Sequence, residues 1–298
     1  MATTTSPRLL SAFPELYEAA YKIYSGLSCR LGKLCEWLDP AVLDSILHVP
    51  KDVTFKALSV GGGDGYLESK FLAHLWDRRA ENSEIHAVIV EPDADSIHRY
   101  QELVSKVPDK LGGITYDWRQ QTFQEYETSP EAARDKFHFI SCISSIYFLG
   151  DLEKSMKTLY DKLDDGGVLL VGTAQGEIGW GRLQQYVGEQ SGAGAFRAWC
   201  TASEVKDVCE QYNIPISEIR IVKTWLDVSV LFPQSPHQLS EDGKALLDFM
   251  TGTVDFSRDA GLRDDVLAFL GSEACTERGP AGEVMLDEST AMIIIRRE

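Results

Sequence analysis

The residues best suited to chemistry in this chain are three glycines at alternate positions, Gly61, Gly63 and Gly65, and a glutamate one strand further on, Glu91. Glycine lets a backbone turn tightly and approach a ligand with no Cβ in the way. In an open parallel sheet, a turn of this kind between the first strand and the first helix is where ligands bind beyond the strand ends. The spacing departs from the dinucleotide fingerprint GxGxxG, because Tyr66 follows Gly65 where that fingerprint continues toward a third glycine. Glu91, with Pro92 after it, is placed to accept hydrogen bonds from both hydroxyls of a ribose. Loop and acid together point to a nucleoside ligand without phosphate.

Other chemistries find no support. The histidines His48, His74, His86, His98, His138 and His237 show neither HExxH nor any paired metal spacing, so no metal is expected. No GxSxG elbow and no GxxxxGK[ST] phosphate loop occurs, which removes acyl transfer and nucleotide hydrolysis. Cys29, Cys35, Cys142, Cys200, Cys209 and Cys275 are scattered without CxxC pairing, as expected of reduced thiols in the cytoplasm. A net charge of −17 repels nucleic-acid backbones and anionic lipid, so neither is expected as a partner. No apolar run reaches the roughly 18 residues of a membrane helix, and the first residues lack the pattern of an export signal.

The elements that must position these residues follow an alternating rhythm. Short β-rich or apolar runs at Thr54–Val60, Ile85–Glu91, Gly113–Trp118, Phe137–Ile143 and Gly167–Thr173 are separated by segments of helical spacing. Tyr66–Arg79 is one such helix; another carries Ile97, Tyr100, Leu103 and Val104 on one stripe behind Asp93 as its cap. A third, Asp151–Leu163, is followed by a turn at Asp164–Gly167. The pattern predicts an α/β fold, a parallel sheet with helices on both faces. Two long runs, Ile219–Val230 and Glu283–Arg296, suggest an antiparallel C-terminal edge, with helices at Glu241–Met250 and Leu262–Leu270 between them. A single domain of 298 residues is expected, with residues 1–50 a helical lid, 51–175 the cofactor-binding core, and 176–298 pocket elements and terminal strands.

Loop, acid and following helix, Ser59–Gly65 and Glu91–Val104, resemble the class I methyltransferases, and specifically the histamine N-methyltransferase family. Further likeness lies in Trp118–Tyr126, Ile146–Leu152, the pair Gly179-Trp180, and Leu246–Phe256, so that it spans nearly the whole chain. The resemblance implies a Rossmann-like, mostly parallel seven-stranded sheet and S-adenosylmethionine as cofactor. It places Gly61, Gly62, Gly63 and Gly65 near the methionine part, Glu91 on the ribose, and Ile143 behind the adenine or sulfonium, with Ser96 and Thr122 as further cofactor contacts. Ser96 stands where the family has glutamine, and Phe123 where it has serine, which weakens two side-chain contacts.

The acceptor side departs further. The family's glutamate on the N-terminal helix corresponds to Arg30, its glutamine after the fourth strand to Ser144, and its asparagine near the last strand to Glu288. An arginine in place of a carboxylate reverses the local charge preference by several kcal/mol in a dry site. The expected acceptor is a small amine or imidazole compound, either histamine-like or a zwitterion whose carboxylate meets Arg30 and whose ammonium meets Glu288. Tyr17, Tyr21, Tyr147, Phe148, Trp180 and Phe249 are the expected aromatic walls. Methyl transfer from a sulfonium needs alignment and exclusion of water more than an acid–base pair, so no catalytic residue is assigned. A monomer that methylates nitrogen is the expectation; the alternatives are methylation of another atom type or a lapsed relative that only binds the cofactor.

Overall fold

The computed structural model describes residues 8–47, 54–80, 83–190, 200–233 and 239–298. His48 and His237 lie outside the described residues. The strands are β1 (Phe55–Val60), β2 (Ile85–Val90), β3 (Thr115–Arg119), β4 (Phe137–Ile143), β5 (Leu163–Ala174), β6 (Ile216–Val222), β7 (Trp225–Asp227), β8 (Thr276–Arg278), β9 (Val284–Asp287) and β10 (Thr290–Arg296). They form a seven-stranded sheet in the order β3-β2-β1-β4-β5-β10-β6 and a three-stranded sheet in the order β7-β9-β8.

The chain divides into two compact units. The first comprises Leu34–Thr173, Ala202–Ile221 and Ala291–Glu298 and carries the large sheet. Its β1, β2 and β4 are buried at almost every position, as a strand covered on both faces must be. β1 pairs in parallel with β2 on one side and β4 on the other, and β4 pairs in parallel with β5. The sheet is mostly parallel, with its antiparallel edge on the C-terminal side. The order reverses between β1 and β4, which makes their C-terminal ends the topological switch point. Helix Glu68–Arg78 follows the glycine loop. Helix Ala94–Lys106 follows Glu91, and its N-cap Asp93 accepts from Ser96 N–H at 2.8 Å.

The second unit comprises the residues up to Lys33, Ala174–Thr201 and Val222–Thr290. Its core gathers Tyr24, Trp180, Leu183, Leu226, Leu246, Phe249, Val266 and Leu286 from helices Pro14–Leu27, Gly179–Gln190, Glu241–Thr251 and Ala260–Leu270 and from the small sheet. Among the described residues no helix is long and apolar enough to cross a membrane.

Two expectations need correction. Each C-terminal run is two strands rather than one: Ile219–Val230 divides between β6 and β7, and Glu283–Arg296 between β9 and β10. The breaks fall opposite one another, where Glu288 N–H donates to Thr224 O at 3.0 Å and Thr224 Oγ1 donates to Glu288 O at 2.8 Å. β10 inserts between β5 and β6, so the outermost strand is β6. Finally, Asp164–Gly167 lies within β5, accommodated by a register shift against β4 and a left-handed Gly166 (φ 73°). Helix Gly179–Gln190 escaped notice although Trp180, Leu183 and Val187 share one face, because Gly179 and Gly181 depress helix propensity in its first turn. Gly181 is required there, since a Cβ would stand 2.2 Å from Gly176 O.

Thr224 is fully buried, and its hydroxyl bridges the two chain breaks. Thr224→Val keeps the shape and removes the bond. A loss of about 1 kcal/mol in urea unfolding is expected; no loss would show that the bridge contributes nothing to stability.

Candidate functional site

The loop after β1 is held in a conformation few residues other than glycine adopt. Gly61, Gly63 and Gly65 have φ of 67°, 54° and 75°, all left-handed. A Cβ on Gly61 would stand 2.5 Å from Ser145 Cβ, and one on Gly65 2.2 Å from the Tyr100 ring. At Gly62 the obstacle would be Ser59 Oγ, at 2.6 Å. At Gly63, by contrast, no described atom lies within 4 Å of the missing Cβ, so this side of the loop is open.

Glu91 closes the cradle. Its Oε2 accepts from Gly63 N–H at 2.9 Å and its Oε1 from Asp93 N–H at 3.0 Å, while its own N–H donates to Arg119 O at 3.1 Å. A carboxylate oxygen has two lone pairs, so each oxygen keeps one acceptor position beyond its backbone bond. Burial raises the Glu91 pKa, and the two backbone N–H groups oppose that rise. The resulting surface combines an open face at Gly63 with a fixed carboxylate, on which the charge of Asp93 acts to raise the pKa and that of Arg99 to lower it. Arg99 is engaged with Asp93 at 3.7 Å and with the Ser96 hydroxyl at 3.0 Å. Such a site suits a vicinal diol and a positive charge and opposes a phosphate.

Several supports were not legible as site residues. Ser145 is buried, donates from Oγ to Val60 O at 2.6 Å, and occupies the space left by the Gly61 side chain. Tyr100 underlies Gly65, and Ser59 underlies Gly62. Beneath them Glu68, only 6% exposed, has its carboxyl pushed up to about 8 by burial, with the charges of Asp64 and Glu91 adding to the rise. No local motif marks a serine after a strand or a glutamate opening a helix as loop supports; the register that stacks them exists only in the folded sheet.

Of the remaining expected cofactor residues, Ile143 ends β4, with its Cγ2 over Gly172 of β5, 2.8 Å from that glycine's missing Cβ. Ser96 lies in the first turn after Asp93, and its hydroxyl takes the bond from Arg99. Thr122 caps helix Phe123–Glu127, its Oγ1 accepting from Glu125 N–H at 3.2 Å and donating to Glu125 Oε2 at 2.8 Å. Phe123 itself is buried, and its side chain has no hydrogen-bonding group to offer. On the acceptor side, Ser144 follows β4 with φ of 58°, a strained conformation for serine, and its N–H donates to Gly172 O at 2.8 Å. Tyr147 and Phe148 lie on the next turn with ring centroids 4.6 Å apart, Phe148 exposed.

The second unit contains the other acceptor-side residues. Tyr17 and Tyr21 lie at i and i+4 on helix Pro14–Leu27, with ring centroids 5.8 and 5.9 Å from Phe249. Tyr24 stacks on Phe249 at 4.4 Å and meets Trp180 edge-on at 5.8 Å. Trp180 and Phe249 are buried here as core residues, whereas Tyr21 is exposed. Among these rings sits Glu288, 4% exposed, accepting from Tyr24 Oη at 2.7 Å and from the Ser28 hydroxyl. Ser28 Oγ in turn accepts from Arg30 N–H at 3.0 Å. Burial raises the Glu288 pKa, and the Arg30 charge is the foremost opposing influence, followed by the Ser28 and Tyr24 bonds. Arg30 and Glu288, far apart in sequence, thus belong to one cluster, joined by Tyr24 and Ser28, which sequence reasoning missed.

The cradle makes a direct prediction. Gly65→Ala forces a left-handed alanine against the Tyr100 ring and is expected to destabilise the fold by about 2 kcal/mol or more, read from urea unfolding. The double variant Gly65→Ala/Tyr100→Leu should recover part of that loss relative to the sum of its single effects. Simple additivity would mean that the loop does not rest on Tyr100.

Comparison with known proteins bears on the family and the fold. The chain is 28% identical over 245 residues to histamine N-methyltransferase A of Xenopus laevis, covering 81% of each. It is 24% identical over 300 residues to the histamine N-methyltransferase of Bos taurus, covering 98% of this chain and 99% of that one. Among solved structures, the YcgJ protein of Bacillus subtilis superposes with a TM-score of 0.55 at 12% identity, covering 87% of this chain and 97% of that chain. A candidate methyltransferase from Bacillus halodurans gives 0.56 at 12% identity, covering 87% and 98%; both likenesses establish the fold. A family model described as a methyltransferase domain matches residues 30–216, more than half of the chain, and so the protein belongs to the methyltransferase-domain family and is a methyltransferase.

Proposed function

We propose that this enzyme takes its methyl group from S-adenosylmethionine and delivers it to a nitrogen of a small amine or imidazole compound. The observation that carries the cofactor is the Glu91 carboxylate, anchored by Gly63 and Asp93 N–H groups with one acceptor position left on each oxygen. The two positions match the two hydroxyls of an adenosine ribose, and the open face of Gly63 leaves room for the adjoining chain. The acidic surroundings suit a sulfonium. When bound, the cofactor supplies an electrophilic methyl group with a neutral thioether as leaving group.

The protein's own task is to bind, orient and exclude water. In this reading Gly61, Gly62, Gly63 and Gly65 supply the cradle, Ile143 an apolar wall, and Ser96 and Thr122 flank the site through their helix starts. The acceptor nitrogen has to arrive unprotonated, which an imidazole does near neutral pH and an alkylamine only by losing a proton. The histamine N-methyltransferase relatives support a small amine acceptor.

For the acceptor we assign Glu288 to the ammonium and Arg30 to a carboxylate, with Tyr17, Tyr21, Trp180 and Phe249 as apolar surroundings. A zwitterion, such as an amino acid or imidazole dipeptide, fits the Arg30–Glu288 pair because it satisfies both charges in the sense in which they already satisfy each other.

Two measurements test this reading. Glu91→Ala is expected to weaken S-adenosylhomocysteine binding by about 1–3 kcal/mol in calorimetry, through loss of two charge-assisted bonds; unchanged affinity would put the ribose elsewhere. In a mass-shift assay across histamine, histidine and imidazole dipeptides, Arg30→Glu is expected to move the kcat/KM ratio of zwitterion to histamine by about 10–100-fold toward histamine. An unmoved ratio would mean that Arg30 does not meet the acceptor.

A further inference from the structure

Glu68 opens helix Glu68–Arg78 yet is turned inward rather than toward solvent. It lines a small cavity whose walls are apolar, among them Leu58, Phe71, Leu72, Ala87, Ile89 and Phe139. The cavity adjoins the glycine loop through Ser59, which lines it and underlies Gly62. Tyr100, which underlies Gly65, is fully buried, is influenced by the Glu68 charge, and has a hydroxyl with no hydrogen-bond partner among the described residues. The groups facing Glu68 are therefore the acids Asp64 and Glu91, the Tyr100 phenol and the Cys142 thiol. Burial pushes the last two upward, so both stay protonated through the neutral range.

We propose that Glu68 is a positioning residue that works in its protonated form, and that its proton keeps the Gly61–Gly65 loop and the Glu91 carboxylate arranged to hold the cofactor. A neutral carboxyl can lie in an apolar cavity; ionisation there is disfavoured by burial and by the negative charges of Asp64 and Glu91, with its own backbone N–H the main opposing influence. Ionisation is relieved by drawing the helix start and the loop above it toward water, which separates the groups that meet the ribose. The sign follows from linkage: the cofactor-competent form binds one more proton, so affinity is full at low pH and falls as pH rises through the titration of Glu68, about 8.

This inference rests on the cofactor reading above, and one experiment separates the two. S-Adenosylhomocysteine binding is measured by calorimetry from about pH 6.5 to about pH 9 with the wild-type chain, Glu68→Gln and, in case glutamine does not fold there, Glu68→Leu. The wild-type Kd is expected to rise about ten-fold across the range, as a single linked proton requires. Glu68→Gln is expected to keep the near-neutral affinity and to lack the Glu68-dependent rise; titration of the ligand's own amino group is common to all proteins and cancels in the comparison. A flat or falling wild-type profile, or the same rise in either variant, overturns the role of Glu68 while leaving the cofactor reading intact. Absence of binding at neutral pH in the wild type overturns both.

Discussion

The cradle depends on one carboxylate that takes its bonds from two different loops. Glu91 follows β2, yet its oxygens accept from Gly63, after β1, and from Asp93, before the next helix. Parallel pairing of β1 and β2 in register from Phe55 with Ile85 to Val60 with Val90 brings these loops to the same level of the sheet. Left-handed glycines turn the first loop so that Gly63 N–H points back to the acid rather than on into a helix. A shift in register or a side chain at Gly61 or Gly65 would take that arrangement apart, which is why so much of the surrounding core is devoted to it.

A second constraint is electrostatic and is confined to the other unit. Glu288 lies where the chain leaves the small sheet, between β9 and β10, and is nearly excluded from water. A lone carboxylate could not remain ionised there, and the Tyr24 and Ser28 hydroxyls together with the Arg30 charge offset the cost of its burial. The two charges thus specify one another.

Much of this could be read from the chain beforehand, and what could not has identifiable reasons. Strands β1, β2 and β4 are mostly apolar because both faces are covered, and the glycines and Glu91 announce themselves by type and by their place at strand ends. The resemblance carried Arg30, Ser144 and Glu288 to the acceptor side, and the structure groups Arg30 with Glu288. Tyr24, Ser28, Ser145 and Glu68 were missed because their importance lies in contacts across long sequence separations, with no local spacing to mark them. The C-terminal runs read as single strands because apolar alternation continues through Thr224 and Glu288–Ser289, where the chain passes from one sheet to the other. Helix propensity understated Gly179–Gln190, since the glycines that weaken it locally are those that let it pack.

The central claim is that the Glu91 carboxylate, fixed by two backbone donors, receives a ribose. A crystal structure with S-adenosylhomocysteine bound tests it most directly. The expected result is both ribose hydroxyls within hydrogen-bond distance of the Glu91 oxygens, about 2.6–2.9 Å, with the amino-acid tail across Gly61–Gly65. A ribose held by other residues, or a phosphate-bearing ligand seated on those glycines, would contradict it.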